Sequence, residues 1–259
     1  MSKALLREAL TVDRYLRSNG YDPQWVVDNL MGPHPLWSAE ALTQVMGLRP
    51  GMRVLDLGCG TALTSIFLAR EYDVEVWATD LWVDPTDNWE RINAAGVADR
   101  VHPIQADAHK LPMARGFFDA IVSIGAYNYF GTGADYLAYC VGFLRPEGTI
   151  GIVVPGIREA PELPPYLAKR WGPDLCTWLP PDWWRKQWER TGLVTVDTAD
   201  MIPHGWQDWL HWLETCATVN RGYEPDEEML RADQGNLVGL TRVVAHPRSP
   251  SATRSALVY

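Results

Sequence analysis

Cysteine is scarce. Four residues, Cys59, Cys140, Cys176 and Cys216, lie far apart, with no Cys-x-x-Cys pair and no metal-ligand spacing. That pattern predicts reduced thiols and no bound metal. Positive charge is short too: 23 Lys and Arg stand against 32 Asp and Glu, for a net charge of −9 and a pI near 5.1. No Lys/Arg run occurs, so nucleic acid, which wants a basic patch, is not an expected partner. No apolar run approaches ~18 residues, and no charged segment followed by an apolar one opens the sequence. The expectation is a soluble, cytoplasmic protein with no membrane partner. Repeats and low-complexity tracts are absent. What is abundant is tryptophan: 13, against 5 Phe, in a chain that is 47% hydrophobic. Trp offers area, an N–H donor and a π face.

One stretch organises the rest: Val54-Leu55-Asp56-Leu57-Gly58-Cys59-Gly60-Thr61. It reads as a strand, a tight turn and the start of a helix carrying Leu63, Ile66 and Phe67 on one face. Glycine supplies positive φ in the turn and lets a ligand approach bare backbone. A strand, glycine loop and helix N-terminus in that order bind nucleotide-like cofactors. The dinucleotide fingerprint wants a third glycine where Leu63 stands. Asp56 at the end of the strand repels a pyrophosphate and attracts an ammonium, directly or through water. S-adenosylmethionine (SAM) has an α-amino group, a sulfonium and no phosphate. An NAD-linked enzyme is therefore disfavoured.

Asp56-Leu57-Gly58-Cys59-Gly60-Thr61-Ala62 resembles the first motif of class I SAM-dependent methyltransferases, with Ala62 where a third glycine is usual. Further motifs follow in order. Residues 74–80 read as a buried strand ending in Asp80, where an acid binds ribose hydroxyls. Leu81 and Trp82 follow and are placed to cover the adenine. Residues 101–108 give a third strand ending in Asp107-Ala108, which the resemblance puts near the adenine amino group. Phe117-Phe118-Asp119-Ala120-Ile121-Val122-Ser123 matches the fourth strand of the family, with Ser123 and Ile124 facing the methionine part of SAM. Residues 145–150 resemble the turn into a fifth strand over 149–154. The resemblance covers about residues 53–155 and is to the ubiquinone-biosynthesis and cyclopropane-fatty-acid-synthase branches. It implies an α/β, Rossmann-like, seven-stranded, mostly parallel sheet with helices on both faces. An N-terminal helical lid and helical insertions near the C-terminal strands complete it.

The expected organisation is one methyltransferase domain over residues 1–247: a lid over 1–48, a cofactor core over 49–157, and substrate-side insertions with the last strands over 158–247. Residues 248–259 read as a loose tail. Helices are predicted near 4–10, 24–31 and 36–46. Thr86 or Asp87 is read as capping a helix that runs to 95. Helices over 134–144, 166–171, 181–190 and 206–213 follow, with late strands over 193–202 and 237–245. A Pro-rich insertion, with Pro161, Pro164, Pro165 and Pro173, is placed to wall the substrate site.

Methyl transfer from a sulfonium is an in-line displacement and needs no compulsory catalytic side chain; a general base helps only a protonated nucleophile. Tyr127 and His204 are the catalytic candidates. His34, Tyr129, Trp206 and His211 are the substrate-facing ones. Packing is the alternative for both tyrosines and a turn role for His34. The aromatic excess points to a flat apolar or cationic small molecule, methylated on N, O or C by a monomer or homodimer. Alternatives are a SAM-binding sensor without turnover and a lipid-directed enzyme of the cyclopropane type, for which no carbonate-binding set is apparent.

Overall fold

The computed structural model describes residues 2–160, 162–170, 172–173, 175–221 and 224–248; Pro161, Trp171 and the expected tail beyond 248 lie outside them. In chain order the structure runs α1 (Lys3–Ala9), α2 (Pro23–Asp28), α3 (Pro35–Thr43), β1 (Arg53–Leu57), α4 (Leu63–Tyr72), β2 (Glu75–Asp80) and α5 (Pro85–Ala94). It continues with β3 (Val101–Gln105), β4 (Phe118–Ile124), α6 (Tyr127–Phe130), α7 (Ala134–Val141), β5 (Leu144–Ile157) and α8 (Pro165–Arg170). It closes with α9 (Pro181–Glu189), β6 (Val194–Met201), α10 (Gly205–Ala217), α11 (Glu224–Asp233) and β7 (Val238–Pro247).

The seven strands form one sheet in the order β3-β2-β1-β4-β5-β7-β6. β1 to β5 pair in parallel, and β7 runs antiparallel between β5 and β6. The strand order reverses beside β1, between β2 and β4. In an open α/β sheet the crevice at the carboxyl ends of the strands at such a switch is where a ligand binds. Alternation along each strand feeds two cores: Val54 packs on one face of the sheet, Leu55 and Leu57 on the other. The first core takes α3, α4, α10 and the N-terminal segment; the second takes α6, α7 and α9. Pro103 is tolerated in β3 because that strand is an edge.

The structure changes several sequence-predicted boundaries. β5 is 14 residues long because residues 145–148, read as a turn, are taken in as a register shift opposite Phe118 and Ala120. Asp84, rather than Thr86 or Asp87, caps α5: its carboxylate accepts from the Thr86 N–H at 2.7 Å. α10 reaches Ala217, beyond the expected 213, and Trp212 on it is fully buried. The reason is a second covering surface. The N-terminal segment packs on α10, with the Trp212 indole N–H donating to the Gly32 carbonyl at 3.1 Å and the Tyr15 hydroxyl donating to Asp208 at 2.8 Å. Among the described residues, no helix is long and apolar enough to cross a membrane.

Candidate active site

The glycine turn sits where the sheet reverses. Gly58 and Gly60 have φ of +76° and +53°, and Ala62 enters α4 at +61°. The N–H groups of Gly58 and Cys59 both donate to the Thr79 carbonyl, at 2.8 and 2.9 Å, which ties the turn to β2. The bareness of this backbone is required by its neighbours. A Cβ on Gly58 would lie 2.4 Å from the Ala126 Cβ, and one on Gly60 would lie 2.7 Å from the Met31 sulfur.

Asp80, at the end of β2, lines the cavity above the turn. One carboxylate oxygen accepts from Gly60 N–H at 2.9 Å; the other accepts from Trp82 N–H at 2.9 Å and Val83 N–H at 3.1 Å. A carboxylate offers about four lone-pair positions, so about one is left for a ribose hydroxyl rather than the pair expected from sequence. Asn88 completes the collar. Its side chain is buried, and its amide donates to the Gly60 carbonyl at 2.9 Å. Asn88 was not singled out by sequence; its one signal is a polar residue on the inner face of α5.

Asp56 is placed differently from the expectation. It is fully buried and does not line the cavity. One of its oxygens accepts from the Thr64 and Ser65 hydroxyls, each at 2.6 Å, so the carboxylate fastens the first turn of α4 under the glycines. Its other oxygen is buried with no partner among the described residues. Burial pushes its pKa up to about 6; the two hydroxyls oppose that rise and the Asp80 charge adds to it.

The cavity above the turn has a volume of about 660 Å³, within the range for an organic ligand. From the sequence candidates it gathers Gly58, Cys59, Gly60, Asp80, Trp82, Ile124 and Tyr129. The others fall elsewhere. Leu81 points to solvent and is 49% exposed. Asp107 accepts from the His109 backbone N–H at 2.8 Å, and Ala108 accepts the Tyr136 hydroxyl at 3.1 Å. Ser123, buried, donates to the Leu57 carbonyl at 2.6 Å.

Neither catalytic candidate lines this cavity. Tyr127 is fully buried in the second core, with its ring edge-on to Trp184 and Trp188. Burial also drives its hydroxyl well above the usual phenol pKa. His204 is exposed, adopts φ +61° before α10 and lies outside the cavity. His34 is buried and caps α3, its Nδ1 accepting from the Trp37 N–H at 3.1 Å while its ring stacks on Trp37. Burial lowers its pKa to about 3, so it stays neutral. His211 contacts the Ala9 carbonyl at 2.5 Å, and Trp206 covers Gly235; neither lines the cavity.

The far end of the cavity is walled by residues that were not singled out from sequence, although Pro155 and Trp178 belong to the Pro-rich insertion expected to wall the substrate site. Val153 to Pro155 of β5, Trp178, Trp209 and Leu240 supply an apolar surface, with the two indoles 5.5 Å apart. Asp226 adds one carboxylate. Met31 and the loop from Asn29 to Pro35 close the near side. No Lys, Arg or His is among the described lining residues. A diphosphate has nothing there to balance its charge, whereas an adenosyl amino acid fits the bare turn and the Asp80 carboxylate.

Known proteins agree with this geometry. Residues 54–148 match the family model described as "Methyltransferase domain". Over residues 54–148 the chain carries a methyltransferase domain, set in a sheet of the class I methyltransferase fold. It is 26% identical over 241 residues to erythromycin 3''-O-methyltransferase of Saccharopolyspora erythraea, covering 83% of this chain and 78% of that one. It is 39% identical over 124 residues to the ubiquinone/menaquinone biosynthesis C-methyltransferase UbiE of Nitrosospira multiformis, covering 46% of this chain and 49% of that one. It thus spans most of the first relative and about half the length of the second. The fold is shared with geranyl diphosphate methyltransferase solved in complex with SAM: TM-score 0.65, 17% identity, 83% of this chain and 87% of that chain covered.

Proposed function

We propose that this methyltransferase acts on a hydroxyl, amine or carbon of a small, uncharged and largely apolar molecule. The observation that carries this is one continuous cavity: bare backbone and the Asp80 carboxylate at one end, apolar wall without a cation at the other. When bound, SAM supplies an electrophilic methyl group and leaves as S-adenosylhomocysteine. The chain's own part is placement and dryness. Asp80 and the glycine turn fix the donor, Ile124 and Val153 line the middle, and Trp178 and Trp209 hold the acceptor's apolar body away from water.

A hydroxyl is favoured among the acceptor atoms, because the relative spanning most of this chain is by name an O-methyltransferase. Residues 1–247 act as one domain in this reading, in the cytoplasm, as a monomer or homodimer. The net charge of −9 supports a small-molecule acceptor over nucleic acid. Calorimetry with SAM and with NAD is the first test, and SAM alone is expected to bind. Formation of S-adenosylhomocysteine with a fractionated metabolite extract is the second. Tight SAM binding without turnover in any fraction would favour a sensor instead.

A further inference from the structure

The apolar end of the cavity carries one carboxylate, and its setting is specific. Asp226 lies in the first turn of α11 and pairs with Arg170 at the end of α8. Their side chains are 14% and 24% exposed. A second tie joins the same helices, the Tyr166 hydroxyl donating to Asp233 at 2.7 Å. So two insertions from distant parts of the sequence, one after β5 and one before β7, are laced together. Their joint product, among the described residues, is one carboxylate on a wall that Trp178, Trp209 and Leu240 help to build.

We propose that Asp226 is the residue that receives the acceptor's hydroxyl. This rests on reading the cavity as the methyl-transfer site. The carboxylate accepts the hydrogen bond of a neutral O–H and aims an oxygen lone pair at the methyl carbon. As the new C–O bond forms, the S–CH3 bond breaks and its electron pair stays on sulfur. The hydroxyl proton passes to Asp226 and then to water. Arg170 holds the carboxylate in place.

Charge selects the hydroxyl over its rivals. A carboxylate or phosphate acceptor would meet the Asp226 carboxylate, with the Arg170 guanidinium already engaged by it. An ammonium acceptor would sit beside the Arg170 guanidinium and has no lone pair until it sheds a proton. A neutral hydroxyl suffers neither cost, and a charge-assisted hydrogen bond to it contributes ~1.5–3 kcal/mol, about 10- to 100-fold in affinity.

The test uses three probes with one apolar body: 4-butylbenzyl alcohol, 4-butylbenzylamine and 4-butylbenzoate. Calorimetry on the full chain saturated with S-adenosylhomocysteine should show the alcohol binding best and the benzoate not at all. Asp226→Asn should weaken the alcohol about 10-fold or more, with affinity for SAM unchanged. Benzoate or amine binding as well as the alcohol, or no probe binding up to its solubility limit, would overturn the assignment. So would an Asp226→Asn protein that binds SAM normally and holds the alcohol as well as wild type does. The three-probe comparison needs only wild type, so it decides even where the variant does not fold. Failure of wild type to bind SAM would instead sink the reading of the cavity itself.

Discussion

At one end of the cavity Gly58, Cys59 and Gly60 come from a single turn, and their neighbours Thr79 and Asp80 from the next strand. At the other end Pro155, Trp178, Trp209, Asp226 and Leu240 come from five separate segments. The first end works through backbone groups whose geometry the turn dictates. The second works through side chains whose positions depend on how two insertions pack. A shared donor needs a fixed cradle, whereas acceptors differ, so the variable end is built from parts that change without disturbing the sheet.

The comparison breaks most visibly in the tryptophans. Trp184 and Trp188 of α9 are buried in the second core, on the face of the sheet away from the wall that holds Trp178 and Trp209. Trp188→Ala is expected to cost ~3–5 kcal/mol of stability while leaving the SAM dissociation constant of the folded fraction unchanged. Urea unfolding followed by calorimetry measures both. A protein that keeps its stability would mean that the second core does not close around α9.

Next comes the cradle. Gly58→Ala introduces a Cβ 2.4 Å from Ala126 at φ +76°. Left-handed strain and overlap together predict a loss of ~2–5 kcal/mol, shared between stability and SAM binding. Gly125 is the control: its φ is +69°, but an added Cβ meets nothing within 4 Å. Gly125→Ala should therefore show the strain alone, ~1–2 kcal/mol. Equal effects at the two sites would remove close packing from the account.

The same contrast explains what sequence could reveal. The strand ending in Asp56, the strand ending in Asp80 and the glycines between them are local features, and local spacing shows them. Tyr127 lies two residues beyond Gly125 and was read into the site. The chain turns at that glycine, and α6 carries the ring through to the opposite face of the sheet. Trp209 and Trp206 share a side of α10, yet only Trp209 reaches the cavity, because Trp206 is taken up by Gly235. Asp226 carries no local signal at all; the pairing that ties it into the wall is with Arg170, 56 residues earlier.

Two buried titratable groups give pH effects of opposite sign. Burial raises Asp56 from its ordinary 3.8 to about 6, so the native state binds its proton more tightly than the unfolded chain. Its contribution to stability therefore falls as pH rises from about 4 to about 6 and is constant above. The stability of Asp56→Asn relative to wild type should climb across that window, by at most ~3 kcal/mol. His34 is lowered from 6.5 to about 3 by burial, so its contribution is complete above pH 6.5 and is lost as pH falls towards 3. His34→Asn should lessen the acid sensitivity that Asp56→Asn exaggerates. Urea midpoints from pH 4 to pH 7 test both signs.

Asp80→Ala removes the proposed ribose acceptor and also the anchor of the Gly60, Trp82 and Val83 N–H groups. SAM affinity should fall about 10- to 100-fold. Asp80→Asn keeps an oxygen for one of those ties and should fall less. An unchanged dissociation constant in Asp80→Ala would put the ribose elsewhere.

The smallest expected effect is the most direct check on which face of the sheet is which. The Tyr127 hydroxyl is buried without a partner among the described residues. Tyr127→Phe deletes that oxygen and keeps the ring edges against Trp184 and Trp188. An unsatisfied buried hydroxyl costs ~1–3 kcal/mol, so its removal should leave stability unchanged or raise it by about 1 kcal/mol. SAM affinity and turnover should stay within about twofold of wild type, since a twofold change is under 0.5 kcal/mol and nothing in the cavity has altered. A tenfold fall in turnover with normal SAM binding would bring the hydroxyl back to the reacting atoms. It would also require α6 to swing its tyrosine around the end of the sheet during the reaction.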